Sequence, residues 1–256
     1  MISTTAGESG VVEIVVDSPP VNALTVKDWY ALAEAFRAAG ADGATRAVVL
    51  RAQGRGFNAG VDLKEIQRDR GHDALIGANH GCFEAFAAVY ECPVPVVVAV
   101  HGYCLGGGIG LAGNADIVIA AAGSTFGLPE VDRGALGAAT HLSRLVPLHK
   151  ARAMMLLAEP ATAEELHGFG SVYAVVPPAE LVTTARSTAG KIAAKHPRVI
   201  RAAKESLNGI DLWDVRRSYR YEQGFTFELN LAGVAGEVRA GFGPAPAPGS
   251  SESGRA

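Results

Sequence analysis

Residues 94–121 read VPVVVAVHGYCLGGGIGLAGNADIVIAA, and this stretch decides the fold. Its first seven residues are apolar apart from a proline and show no polar alternation, the pattern of a strand buried on both faces. Three consecutive glycines follow at Gly106, Gly107 and Gly108, then residues compatible with a short helix, then a second apolar strand, ADIVIAA. Strand, glycine turn, helix and strand together form the repeating unit of a parallel sheet covered by helices.

The same alternation extends outward in both directions. Upstream, RAVVLRA (46–52) reads as a buried strand, and Val26, Trp29, Leu32, Ala33 and Phe36 recur at helical spacing before it. Still earlier, VVEIVV (11–16) is rich in β-branched residues and is stopped by Pro19 and Pro20. A polar loop and a helix are expected over 62–90. Downstream of Pro178 the pattern becomes almost purely helical, and Trp213, Val215, Tyr219, Phe225, Phe227, Leu229 and Leu231 lie among charges on a stretch expected to pack on a neighbouring subunit. The organisation is therefore an α/β core over 1–180 and a helical oligomerisation region over 181–242. A disordered tail, GPAPAPGSSESGRA, follows over 243–256, too poor in apolar side chains to build a core.

Composition narrows the function classes. A chain of 256 residues with 48% hydrophobic residues buries a large core, and its formal charge of -3 argues against a nucleic-acid partner. The longest apolar run, Val94 to Val100, is far shorter than the roughly 20 residues a membrane-spanning helix needs, so no membrane association is expected. Cys82, Cys92 and Cys104 form no CxxC pair and lack a histidine at zinc-finger spacing. No metal site is expected, and a reducing cytoplasm fits best.

Two segments carry chemistry. At Gly106–Gly108 no side chain covers the backbone, so a ligand oxygen can reach the N–H groups, and the helix start adds partial positive charge. Ligand-free strand-to-helix turns use the same residues, which leaves this segment ambiguous alone. The second segment, GRGFNAGVDLKEI (54–66), places another glycine-anchored turn after the strand at 46–52. The residue after Gly60 then supplies a second donor, and two donors can share one oxygen.

GFNAGVDLKEI, PVVVAVHGYCLGGGIGL, ADIVIA and TFGLPEVDRGALGAATHLSRLVP, in that order and spacing, resemble the signature blocks of the crotonase (enoyl-CoA hydratase/isomerase) superfamily. PRVIRAAKESLN resembles a later family helix, so the likeness covers most of the chain. The resemblance implies a spiral of strand-strand-helix repeats with a C-terminal trimerisation region, and a homotrimer or a hexamer built from two trimers. It implies no permanently bound cofactor: coenzyme A arrives as part of the substrate thioester, whose oxygen sits between the N–H groups of Val61 and Gly107.

Hydratases of this superfamily use two glutamates, and the matching positions here are Gly110 and Glu130. One carboxylate suffices for the family's isomerases, which move a proton and return it. Gly110 is expected to open volume beside the reacting carbon, favouring a ring-shaped acyl group. Near Glu130, the residues Asp132, Arg133 and His141 are further candidates: Glu130, His141 and Asp132 for proton transfer, Arg133 for the substrate pocket. Asp62 follows an oxyanion residue and is both a pocket candidate and a natural helix cap. Lys64 and Glu65 are expected to face solvent, with Lys64 a candidate for coenzyme A phosphates. Glu222 and Glu228 are expected to form ion pairs, and Cys104 to act as a small buried hydrophobe.

RVIRAAKE and EQGFTFELNLAGVA lie outside the general signature and resemble the branch of the superfamily that opens carbon rings in steroid (cholesterol) breakdown. That likeness implies hydrolytic carbon–carbon cleavage of a bicyclic keto acyl-CoA. The competing expectations are an enoyl-CoA hydratase or isomerase of fatty-acid-type substrates, and a binding scaffold that has lost turnover.

Overall fold

The computed structural model describes residues 1–69 and 71–240, so the tail expected at 243–256 lies outside the described residues. Nine strands are formed: β1 Ile2–Ala6, β2 Val11–Val16, β3 Ala47–Ala52, β4 Val96–Val100, β5 Tyr103–Leu105, β6 Ile117–Ala121, β7 Thr125–Gly127, β8 Ala161–Thr162 and β9 Val172–Val176. The helices in the first half are α1 Val26–Ala41, α2 Leu63–Arg68, α3 Asp73–Tyr90, α4 Gly107–Ala112 and α5 Ala139–Leu142. The remainder are α6 Leu148–Leu157, α7 Ala163–Gly168, α8 Leu181–Ala193, α9 Pro197–Gly209, α10 Val215–Leu231 and α11 Val234–Ala240.

The main sheet runs β1-β2-β3-β4-β6-β9, parallel throughout except for β1, which pairs antiparallel with β2 at the edge. Successive residues of β3 face opposite layers: Val48 and Leu50 join the larger core with α1 and α3, while Ala47 and Val49 join a second core with α8. A sheet covered on both faces is what its unbroken apolar strands require. Helix α8 supplies Leu181, Ala185 and Ala189 to that second core. The α/β layers therefore extend past residue 180, where the sequence pattern suggested a boundary.

Helix α10 packs on α3 and α5 of its own chain, burying Val215, Tyr219, Gln223 and Thr226. Tyr221 and Leu231 stay exposed on its other side. The helix is thus amphipathic toward its own core, with Arg216, Arg217, Arg220 and Glu228 exposed on its outer face.

A smaller sheet, β5-β7-β8, branches from the main one. Its strands β5 and β7 matter because the parallel register Leu105↔Gly127 brings the end of β5 beside the end of β7. The glycine turn before α4 and the turn that carries Glu130 thereby become neighbours.

Candidate active site

Parallel strands present their following loops at one end of a sheet, which is where ligands gather in α/β folds. The glycine segment at 54–60 follows β3, and the one at 106–108 follows β5, the short strand reached directly after β4. The loop after β3 is held by buried amides: Asn58 Nδ2 donates to Asn22 O at 2.6 Å and Asn58 Oδ1 accepts from Gly60 N at 2.9 Å. Asn22 Nδ2 in turn donates to Gln53 O and Gly56 O at 2.7 and 2.8 Å. The loop after β5 joins it through Leu105 N donating to Asn58 O at 2.8 Å.

Val61 forms a lone parallel bridge with Leu24, in which Leu24 N donates to Gly60 O and Asp62 N donates to Leu24 O, both at 2.9 Å. That pattern uses the groups flanking Val61, so its own N–H points the other way, toward the cavity. Gly107 opens α4, and the first N–H groups of a helix have no intrahelical acceptor. The two turns touch, since a Cβ on Gly60 (φ +86°) would lie 3.2 Å from Gly107 N. A Cβ on Gly107 would lie 2.6 Å from the Trp29 ring. Glycine is required at both positions to bring the donors together.

Val61 and Gly107 line a cavity of about 430 Å³ with Glu130. Its wall is mostly apolar, with Val21, Ile66, Leu75, Leu105, Leu136 and Tyr219 among the contributors. The Glu130 carboxyl lies against the glycine turn, for a Cβ on Gly106 would meet Glu130 Oε1 at 2.4 Å. Although the residue as a whole is half-buried, Oε2 is shut off from solvent and has no hydrogen-bond partner. Burial pushes this carboxyl up to about 8, against a backbone hydrogen bond that lowers it, and the Glu222 carboxylate adds to the rise. A protonatable group therefore sits against the glycine turn, in the same largely apolar cavity as Val61 and Gly107.

The other expected residues divide. Asp62 lines the cavity and also caps α2, its Oδ1 accepting from Lys64 N at 2.9 Å, so both roles foreseen for it coexist. Arg133 and Lys64 line the cavity from exposed positions, whereas Asp132 is exposed and outside the lining. Glu65 does not simply face solvent, because its Oε2 accepts from Val26 N at 2.8 Å and ties α2 to the start of α1. Cys104 is fully buried in the core.

Gly110 does not open the cavity. A Cβ there would fall 2.2 Å from Phe86 Cζ, so the Phe86 ring fills the space that the missing side chain leaves. His141 is likewise absent from the lining: it sits behind Phe86 and Tyr219, ring centroids 5.0 and 4.9 Å away, and is 1% exposed. Neither ring nitrogen has a hydrogen-bond partner, and burial lowers its pKa to about 3, with Arg144 adding a smaller push. The imidazole is a neutral core group. It lies 11 positions from Glu130 in the chain, but the turn between them carries it to the far side of the aromatic wall.

Comparison with known proteins follows the same lines. The sequence profile of the Enoyl-CoA hydratase/isomerase family matches residues 6–222. The chain belongs to that family. It is 60% identical over 240 residues, 94% of this chain and 93% of the relative, to the (7aS)-7a-methyl-1,5-dioxo-2,3,5,6,7,7a-hexahydro-1H-indene-carboxyl-CoA hydrolase of Rhodococcus jostii. The protein of the same name from Mycobacterium tuberculosis is 61% identical over 241 residues, covering 94% of this chain and 98% of the relative. Among solved structures, an enoyl-CoA hydratase/isomerase from Pseudoalteromonas atlantica superposes with a TM-score of 0.83 at 26% identity, covering 94% of this chain and 96% of that one.

As a member of the enoyl-CoA hydratase/isomerase family, the chain is an acyl-CoA enzyme. Among the described residues no group of three or more His, Cys, Asp or Glu side chains is placed to hold a metal ion, and no helix is long and apolar enough to cross a membrane. Several residues of the site escape sequence reading. Tyr219 lines the cavity with Phe86 packed behind it, Asn58 and Asn22 set the loop at Gly60, and Thr226 reaches the cavity from α10. Asn58 alone had a local signal, standing inside the GFNAGVD block; Asn22 lies in the left-handed turn before α1 (φ +55°), and Phe86, Tyr219 and Thr226 lie on helices distant in sequence.

Proposed function

We propose that this protein hydrolyses a carbon–carbon bond in the ring of a bicyclic keto acyl-CoA derived from a steroid. The observation that carries the reading is the Glu130 carboxyl, one oxygen of it shut off from solvent, lining one apolar cavity with Val61 and Gly107. The identity to two hydrolases that act on a methylated dioxo-indene thioester supports it. In the proposed course, ionised Glu130 takes a proton from water as the water oxygen bonds to a ring ketone carbon. The tetrahedral alkoxide collapses to a carboxyl group, the adjacent ring carbon–carbon bond breaks, and its electron pair delocalises toward the thioester oxygen. Val61 and Gly107 donate to that oxygen, and Glu130 returns the proton to carbon. Substrate plus one water gives one ring-opened dicarboxylic half-thioester, and no other reactant is consumed.

Coenzyme A enters as part of the substrate, with Lys64 and Arg133 at the cavity edge suited to its phosphates. The family pattern extends the reading to a homotrimer or a pair of trimers, which analytical ultracentrifugation would check. Three free buried cysteines fit a cytoplasmic enzyme. The deciding assay incubates purified protein with the bicyclic keto acyl-CoA in H₂¹⁸O. The expected product carries one ¹⁸O in a new carboxyl group, with the thioester intact. Label absent from that carboxyl, or fast hydration of crotonyl-CoA with no ring opening, would return the protein to the hydratase class.

A further inference from the structure

Residues 133–138 form one wall of the cavity, contributing Arg133, Ala135, Leu136, Gly137 and Ala138; Arg133 ends a short 3-10 turn over Pro129–Arg133, and no regular element holds residues 134–138. This segment is unusual for a catalytic wall because it turns on a left-handed Gly134 (φ +65°) and a left-handed Ala138 (φ +58°). An alanine in that conformation persists only when its surroundings over-determine it. Those surroundings come from the last two helices. Arg239 Nε donates to Arg133 O at 3.2 Å, and Gly134 lies so close to α11 that a Cβ on it would meet Ala235 Cα at 2.8 Å. Thr226 Oγ1 donates to Leu136 O at 2.8 Å and accepts from Leu136 N at 3.3 Å. Glu222 finishes the series: its carboxylate accepts from Ala139 N at 2.9 Å and from both the N–H and the hydroxyl of Thr140.

From this we infer that Glu222, seconded by Thr226, is a positioning residue that clamps the 133–140 wall and so sets the shape of the acyl cavity. Glu222 touches no reacting atom. Its three donors all lie in or beside the wall, on residues roughly 80 positions earlier in the chain. Charge-assisted bonds of this kind hold a segment more firmly than neutral ones, and both oxygens of the carboxylate are used. The ion pair expected of Glu222 does not fit, since the carboxylate is taken up by two backbone N–H groups and a hydroxyl. A cavity wall tied to α10 side chains separates selectivity for the acyl group from the oxyanion turns, which rest on β3 and β5.

The inference rests on the cavity being the acyl site, and its test separates the two. In Glu222→Ala, amides of residues 135–140 should exchange with deuterium at least about tenfold faster than in the unmodified protein, while those of β3 and β4 keep their rates. The KM for the bicyclic keto acyl-CoA should rise by about tenfold or more, the loss expected for a charge-assisted bond. The dissociation constant for acetyl-CoA, whose two-carbon acyl group leaves that wall little to contact, should stay within about twofold. Unchanged exchange at 135–140 in the folded variant, or equal weakening toward both thioesters, overturns the clamp. Should Glu222→Ala fail to fold, Thr226→Val removes only the hydroxyl on Leu136 and must give the same selective pattern in smaller measure. If the unmodified protein leaves the bicyclic thioester intact, the hydrolase reading falls, and the exchange data alone still decide the clamp.

Discussion

Gly110→Ala tests the finding that Phe86 occupies the place where relatives carry a glutamate. The added methyl carbon would stand 2.2, 2.3 and 2.5 Å from Cζ, Cε2 and Cε1 of the Phe86 ring. Carbon atoms pack best at about 3.5–4.0 Å, so the ring must retreat by roughly 1.3–1.8 Å. It has nowhere free to go. Trp29, Tyr219 and His141 surround it at centroid distances of 5.6, 5.2 and 5.0 Å, and Phe86 itself is 1% exposed. Overpacking of this kind costs about 1–3 kcal/mol, and the boxed ring puts this site at the upper end. A cost of ~3 kcal/mol lowers Tm by roughly 6–12 °C in a chain of this size. Circular dichroism melts of Gly110→Ala, Phe86→Ala and the double variant would measure it. Phe86→Ala alone should lose about 3–5 kcal/mol by leaving a cavity. In the double variant the methyl group enters that vacated space, so the combined loss should fall short of the sum by at least about 1 kcal/mol. A Gly110→Ala protein that melts within a degree of its parent, or strictly additive losses, would refute the packing argument. The same geometry predicts that Gly110→Glu gains no hydratase activity unless Phe86 is shortened with it.

Glu130 should govern the pH response. Since the ionised form takes the first proton and the folded pKa is about 8, kcat/KM should rise with pH and level off above that value. Glu130→Gln should lower kcat by about 10²- to 10⁴-fold and abolish the limb. The sign for stability is opposite: a carboxyl whose pKa is raised on folding favours the folded state at low pH and loses that advantage as pH rises through the folded value. Thermal melts should therefore find Glu130→Gln more stable than its parent at pH 9, with the gap closing toward pH 5. His141 titrates the other way, because a pKa lowered on folding to about 3 stabilises above the unfolded value near 6.5 and destabilises as pH falls. His141→Leu should keep kcat within about threefold while flattening the fall in Tm below pH 6, and a hundredfold loss of kcat would restore a catalytic role. Gly60→Ala forces a side chain onto a φ of +86° at 3.2 Å from Gly107 N; kcat/KM should drop by about 10²- to 10³-fold with the fold retained, as circular dichroism would verify.

Backbone chemistry is legible in a sequence when local residue choice dictates local shape. Gly60 and Gly106 take positive φ angles that other residues rarely adopt, so their glycines mark two tight turns, and only the pairing of the two segments points to a shared ligand oxygen. The parallel sheet is legible for a similar reason, since each strand's apolar run needs cover on both faces. Space is a different matter. Gly110 looks like an opening until Phe86, 24 positions earlier and on another helix, is known to point into it. His141 looks catalytic by its nearness to Glu130 in the chain, yet the left-handed turn at Ala138 takes it behind the aromatic wall. Glu222 looks like a surface charge because its partners are backbone N–H groups, which no residue type announces.

The loss of a second carboxylate acquires a chemical sense in this setting. Adding water across a double bond delivers hydroxide to one carbon and a proton to its neighbour, and two carboxylates divide that work. Opening a ring beside a ketone needs the water proton removed first and a proton delivered to carbon afterwards, so one group can perform both steps in turn. Such a group works best when its pKa lies close to the working pH, because it must accept readily and release readily. Burial against the glycine turn gives Glu130 that poise, and the Phe86 ring helps keep the site dry by filling the place where a second, hydrated carboxylate would stand. On this argument the same packing that excludes the second glutamate also tunes the first, so shortening Phe86 should lower the pKa seen in kcat/KM by admitting water to the back of the cavity.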